Sequence, residues 1–143
     1  MRTFIVIASL AASAFAQLAS IVSPTNGSTI TPGSQLIVDV HQDESATDDV
    51  QIAIVLGLAS CLNTPCTDVV PGQSGVGTIL LKSLFDPQRD PSLPQEGLHQ
   101  NFTMVVPDNV LTGPSILSLT HLQMVGANKN AALGTTGIIV NVA

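Results

Sequence analysis

Seven short runs rich in Val, Ile and Leu, each bounded by Gly, Pro, Asn or Asp, constrain this chain more than any other feature. They are ASIVS (19–23), QLIVDV (35–40), VQIAIVLGL (50–58), GTILLKSLF (77–85), NFTMVV (101–106), SILSLTHLQMV (115–125) and GIIVNV (137–142). β-Branched residues favour a pleated surface, and the separators PTNGS, TPGS, PGQSG and TGP are turn chemistry. In 35–40, Leu36, Val38 and Val40 alternate with Gln35 and Asp39, and Ile37 is the one apolar residue on the other face. In 101–106, Phe102, Met104 and Val106 share one face and Asn101 and Thr103 the other. That period of two marks half-buried strands. With no long helix, seven short strands predict an all-β chain, a single immunoglobulin-like β-sandwich. Residues 115–125 are the weakest element of this reading, because their apolar residues also fit helical spacing.

The N-terminus sets the compartment. Arg2 precedes an apolar run from Phe4 through Ala12, and Ala14 and Ala16 form an A-x-A site before Gln17. This is the pattern of a secretory signal peptide over residues 1–16, leaving 17–143 as one domain. The run is too short for a bilayer, and GIIVNVA lacks the spacer and tail of a GPI signal. No membrane anchor is expected. Losing Arg2 leaves Lys82, Arg89 and Lys129 against ten acids, one unit more negative than the −6 of the whole chain. Nucleic acid and anionic membranes are poor partners for such a surface.

The function classes narrow further by what is missing. The four aromatics are Phe4, Phe15, Phe85 and Phe102, two of them in the signal peptide, and Trp and Tyr are absent. A sugar platform that stacks rings is nearly excluded. GQSGVG (72–77) is not G-x-S-x-G and lacks the strand-to-helix context of a nucleophile elbow. Its glycines also do not make a nucleotide loop. The acidic segment HQDESATDD (41–49) lacks the alternating carboxylates of a calcium loop and reads as a solvated connection. DPQRDPSLPQEG (86–97), with three prolines, reads as a long loop, a place where a partner could be gripped. A copper polysaccharide monooxygenase begins its mature chain with His, whereas here the first mature residue is Gln17. Neither an enzyme nor a cofactor is expected.

The two cysteines, Cys61 and Cys66, enclose CLNTPC. Zinc needs about four ligands, and His41, His99 and His121 lie on separate segments. Redox catalysis favours C-x-x-C at a helix N-terminus. In a secreted chain an intramolecular disulfide is the expected state, contributing about 2 kcal/mol for so short a loop. It would pin the loop after the third strand and stiffen one end of the sandwich. Two sequons, Asn26-Gly27-Ser28 and Asn101-Phe102-Thr103, offer N-glycosylation sites, with Asn101 expected to point outward. His121 shares a strand face with Leu117, Leu119 and Gln123 and is expected as a packed or surface residue. His41 and His99 adjoin loops and are expected to face solvent.

The order of IVSPTNGSTITPGSQLIVDV, DVQIAIVLGLASC, GTILL…LFDPQ, QNFTMVVPDNV…GPSILSLTHLQMVGA and GIIVNV resembles the small secreted fungal proteins of the necrosis-inducing secreted protein family. The resemblance covers nearly all of the mature chain, with DVQIAIVLGL and NFTMVVP its most telling pieces. It implies a secreted effector that suppresses plant pattern-triggered immunity by binding receptor-associated kinases of the host, and it carries no catalytic motif. The pattern P-x-x-G-x-x-I-x-x-G-x-x-L at the start also resembles fungal β-glucan-assembly proteins and their GPI-anchored relatives, which would bring Ser/Thr-rich tails. The expected function is therefore binding of a host protein by a monomer. A structural glycoprotein contacting fungal wall components is the alternative, and a secreted hydrolase or sugar binder comes third.

Overall fold

Two strands show how the alternation becomes structure. In β3 (Gln35–Gln42), Leu36, Val38 and Val40 are buried while Ile37 stays 53% exposed. In β7 (Leu98–Val105), Phe102 and Met104 are buried between exposed Asn101, Thr103 and Val105. The two pair antiparallel with Leu36 opposite Met104 and Val38 opposite Phe102, so both strands turn their apolar side chains to the same face. With β1 (Ser20–Ser23) beside β3 and β6 (Gln88–Arg89) beside β7, they form a four-stranded sheet ordered β1-β3-β7-β6. The computed structural model describes residues 19–45 and 48–143. The signal-peptide reading of residues 1–16 lies outside them.

The second sheet has five strands, ordered β2-β9-β8-β4-β5. Its long members are β4 (Val50–Ser60), β5 (Thr78–Leu84), β8 (Gly113–Val125) and β9 (Asn130–Val142), with β2 (Thr29–Ile30) parallel to β9 at one edge. The inner faces of the two sheets meet in one core that includes Val38, Val40, Leu56, Val106, Leu117, Leu119 and Val140, each at most 1% exposed. Removing side chains of this size from water contributes about 1.5–3 kcal/mol apiece. Phe85 follows β5 and meets Phe102 of the other sheet at 6.3 Å between ring centroids. The fold is an immunoglobulin-like β-sandwich.

Three local features depart from the sequence expectation. The two-residue strands β2 and β6 were too short to register as patterns, and β6 lies inside the segment read as a loop (86–97). β9 begins at Asn130 rather than 137, because Asn130–Thr136 extend the pairing with β8 despite their small and polar side chains. Residues 115–125, the weakest element of the sequence reading, form the expected strand, bonded to β4 on one side and β9 on the other. Their alternation is masked by burial on both faces: Ser115 through Leu119 are all buried.

The second covering layer is the connection from β4 to β5. It leaves the end of β4 at Cys61 and folds back over the outer face of the five-stranded sheet. Val76 sits against Gly57 of β4, where a Cβ would collide with the Val76 backbone. A Cβ on Gly137 would meet Ile116 Cγ2 at 2.9 Å and Pro71 Cγ at 3.3 Å. Gly57 and Gly137 are therefore the clearance that lets this flap lie close. The flap covers the half of the face nearest the cysteines and leaves the other half bare.

Candidate functional site

Cys61 and Cys66 are joined, with Cα atoms 5.2 Å apart, at the root of the flap. Cys61 is 6% exposed, and its N–H donates to the Pro114 carbonyl at 2.9 Å, tying the staple to the start of β8. Cys66 opens a single 3-10 turn, Cys66–Asp68. The staple thus fixes where the flap begins as well as the end of the sandwich. An open cleft of about 400 Å³ beside it is lined by Leu58, Ser60, Val110, Leu111 and Ser115.

Both sequon asparagines are at the surface. Asn101 stands on the outer face of β7 opposite Asp39, pointing outward as expected. Asn26 Oδ1 accepts the Ile139 N–H at 2.9 Å, which leaves the amide nitrogen, the atom a glycan would take, outside that bond.

At the opposite end of the sandwich, residues 43–45, 48–49, 86–97 and 126–129 hold seven of the ten acids. These carboxylates serve partly as ties between loops. Glu44 pairs with Arg89, Asp48 accepts from Lys129 Nζ at 2.6 Å, and Asp49 accepts the Gly126 N–H at 3.1 Å. No calcium-type wrap of the 41–49 segment is needed to explain them. Beside these ties lies an open cleft of about 420 Å³ lined by His41, Asp43, Glu44 and Glu96.

His41 and His99 lie on the outward face, but half-buried against each other rather than free in solvent. Register places them opposite each other on β3 and β7, with rings 4.9 Å apart and half-buried. His99 Nδ1 lies 3.2 Å from Asp39 Oδ1, and its Nε2 is 2.6 Å from the Glu96 carbonyl. Burial is the largest single influence on His99 and pulls its pKa down. The Asp39 hydrogen bond, the Glu96 carbonyl and the charges of Asp39 and Glu96 together outweigh it and raise the pKa. A protonated His99 donates at both nitrogens to these oxygens, which is why the charged form is favoured. The signal in sequence was parity: Asp39 and His41 share one face of β3, and His99 and Asn101 one face of β7. Only the register joins them.

His121 points inward and is 1% exposed. Its Nδ1 accepts the Ala19 N–H at 3.3 Å, and Phe85 stands nearly perpendicular at 5.2 Å. Burial lowers its pKa to about 4, so the ring is neutral at physiological pH with its proton on Nε2. The packed alternative of the two expected for His121 is the one adopted. The three histidines remain on separate parts of the fold apart from the His41–His99 pair. Among the described residues no group of three or more His, Cys, Asp and Glu is disposed to hold a metal ion. The GQSGVG segment is part of the flap, with Ser74 exposed and Gly77 at φ +69° beside the Leu58 carbonyl. Gly77 gives close packing on β4 and Gly72 on Thr135 of β9, whereas Gly75 has open space around it.

Comparison with solved structures finds a superoxide reductase (neelaredoxin) variant from Ignicoccus hospitalis at 12% identity and TM-score 0.44, covering 86% of this chain and 79% of that one. It also finds the fibronectin(III)-like modules of Clostridium thermocellum CbhA at 11% identity and TM-score 0.42, covering 87% and 94%. These are distant likenesses, and no chemistry is transferred from them. No curated protein matches by sequence. The family comparison is decisive: a match running from residue 14 to residue 141 spans nearly all of the sandwich just described, and the chain belongs to the Nis1 family of necrosis-inducing secreted proteins.

Proposed function

We propose that this protein is a secreted fungal effector that works by gripping a host protein, without catalysing a reaction, and that its target is a receptor-associated kinase of plant pattern-triggered immunity. The observation that carries this reading is the family match over residues 14–141, which puts the chain among effector-like secreted proteins. In this reading the contact is made at the acidic end. The end that carries 43–45, 48–49, 86–97 and 126–129 is acidic, cross-tied by Glu44–Arg89 and Asp48–Lys129, and open to solvent. A partner with a basic surface would be steered to it and released by salt. An N-glycan at Asn26 would leave this end free, whereas one at Asn101, opposite Asp39, would stand beside it.

The test is binding of purified protein to plant receptor-associated kinase domains, together with the oxidative burst that flagellin triggers in leaf tissue. Binding that weakens as salt rises, and a reduced burst, are the expected results. Asp43→Lys with Glu44→Lys should weaken binding about tenfold. No binding together with an unchanged burst would contradict the effector reading. Retention of the protein in fungal walls until glucanase treatment would support the structural-glycoprotein alternative instead.

A further inference from the structure

The outer face of the five-stranded sheet, beyond the reach of the flap, is apolar and bare. Leu84 is 76% exposed and Leu133 71%, the two most exposed large apolar side chains among the described residues. They end one cross-strand row: Leu84 pairs with Ala53, Ala53 with Leu122, and Leu122 with Leu133. The neighbouring row adds Val50, 42% exposed, and Met124. A contiguous apolar patch of this kind on a soluble domain marks an interaction surface.

Charge singles out the occupant. None of the ten acids falls in β4, β5, β8 or β9, and Lys82 is the one charged residue these four strands carry. Two copies of so acidic a chain repel one another through their loop ends. This face can approach its own copy without opposing carboxylates. Shape agrees. The row reads large, small, large, large, and a two-fold axis between Ala53 and Leu122 would set Leu84 of one copy on Leu133 of the other and Ala53 on Leu122. We propose that the bare half of the five-stranded sheet is a self-association surface, closed against the same surface of a second copy around a two-fold axis.

The size of the patch sets the strength. Four strands span about 14 Å across, and Val50 to Val55 about 17 Å along, so that with side chains each copy contributes roughly 500 Å². That is the weak end of specific interfaces, with dissociation expected at about 10 μM. The expectation of a monomer from sequence is thereby limited to dilute protein. This inference does not rest on the proposed host target.

Sedimentation equilibrium of the purified protein from about 1 μM to about 500 μM, spanning that dissociation range, tests it. The mass should rise from one chain toward two. Leu84→Glu and Leu133→Lys, both at exposed positions, should each remain monomeric across the range. Mixing the two variants should restore association, since one of the two symmetric contacts then brings a carboxylate at 84 against an ammonium at 133. Ile37→Glu, on the other sheet, should associate like the parent chain. A parent chain that stays monomeric throughout would overturn the proposal, as would equal loss in Ile37→Glu or a mixture that fails to associate. A monomer that loses host-kinase binding or vesicle binding on Leu84→Glu would also overturn it, and would assign the patch to a different occupant.

Discussion

The two sheets of this sandwich solve the same problem in opposite ways. The four-stranded sheet alternates the more regularly: Val38, Val40, Phe102 and Met104 face in while Asp39, His41, His99 and Asn101 face out, with buried Gln42 and exposed Ile37 and Val105 as its exceptions. The five-stranded sheet buries Ser115, Ser118, His121 and Gln123 and leaves Leu84 and Leu133 in solvent. A flap on its outer face accounts for part of the inversion, because Ile116 and Ser118 become interior once Pro71 and Val76 lie over them. The bare half accounts for exposed Leu84 and Leu133, while His121 and Gln123 are buried on the inward face. Hydrophobicity on a strand therefore reports whatever covers it, and here the covering differs along one strand.

The largest effect that could break this comparison lies within the five-stranded sheet itself. Leu119→Ala, at a side chain with no exposed surface, should cost about 4 kcal/mol in urea unfolding through the cavity it leaves. Leu133→Ala, in the same sheet, should fall within about 0.5 kcal/mol of the parent under dilute conditions. Similar costs at both positions would mean that Leu133 is not bare.

That contrast also explains what was legible beforehand. The sandwich, the outward Asn101 and the disulfide could be read from runs, parity and compartment. β2 and β6 could not, since two residues carry no period. Nor could the helix-or-strand ambiguity of 115–125 be resolved, because the flap that buries its second face comes from fifty residues upstream. The His41–His99 pair and the Leu84–Leu133 row depend on register between strands far apart in sequence. Local patterns specify a face and not its neighbour.

The next effect compares the two buried or half-buried imidazoles through pH. His121 has its pKa lowered to about 4 by burial, whereas in the unfolded chain it titrates near 6.5. The unfolded state therefore binds more protons between these values, and stability falls as pH drops from about 6.5 to about 4, by on the order of 3 kcal/mol. His99 has its pKa raised, so its contribution has the opposite sign: present below about 6.5 and lost as pH rises through the folded value. Urea midpoints against pH should lose the first dependence in His121→Leu and the second in His99→Gln. A flat difference between parent and His121→Leu would contradict a buried neutral ring.

Smaller still is the staple. Replacing Cys61 and Cys66 with Ser should cost about 2 kcal/mol. Amide exchange should accelerate in 69–77 and at the backbone of Gly57 and Ile116 beneath the flap, with Ile37 and Thr103 on the other sheet unchanged. Uniform acceleration across both sheets would mean that the disulfide supports the whole fold rather than the covering layer.

The division between a covered or polar surface and one bare, acid-free face is tested most directly by a methyl NMR dilution series. The account predicts concentration-dependent shifts for the methyls of Leu84, Leu122, Leu133 and Met124, while those of Ile37 and Val105 hold still. Invariant spectra, or shifts centred on Ile37 and Val105, would contradict it.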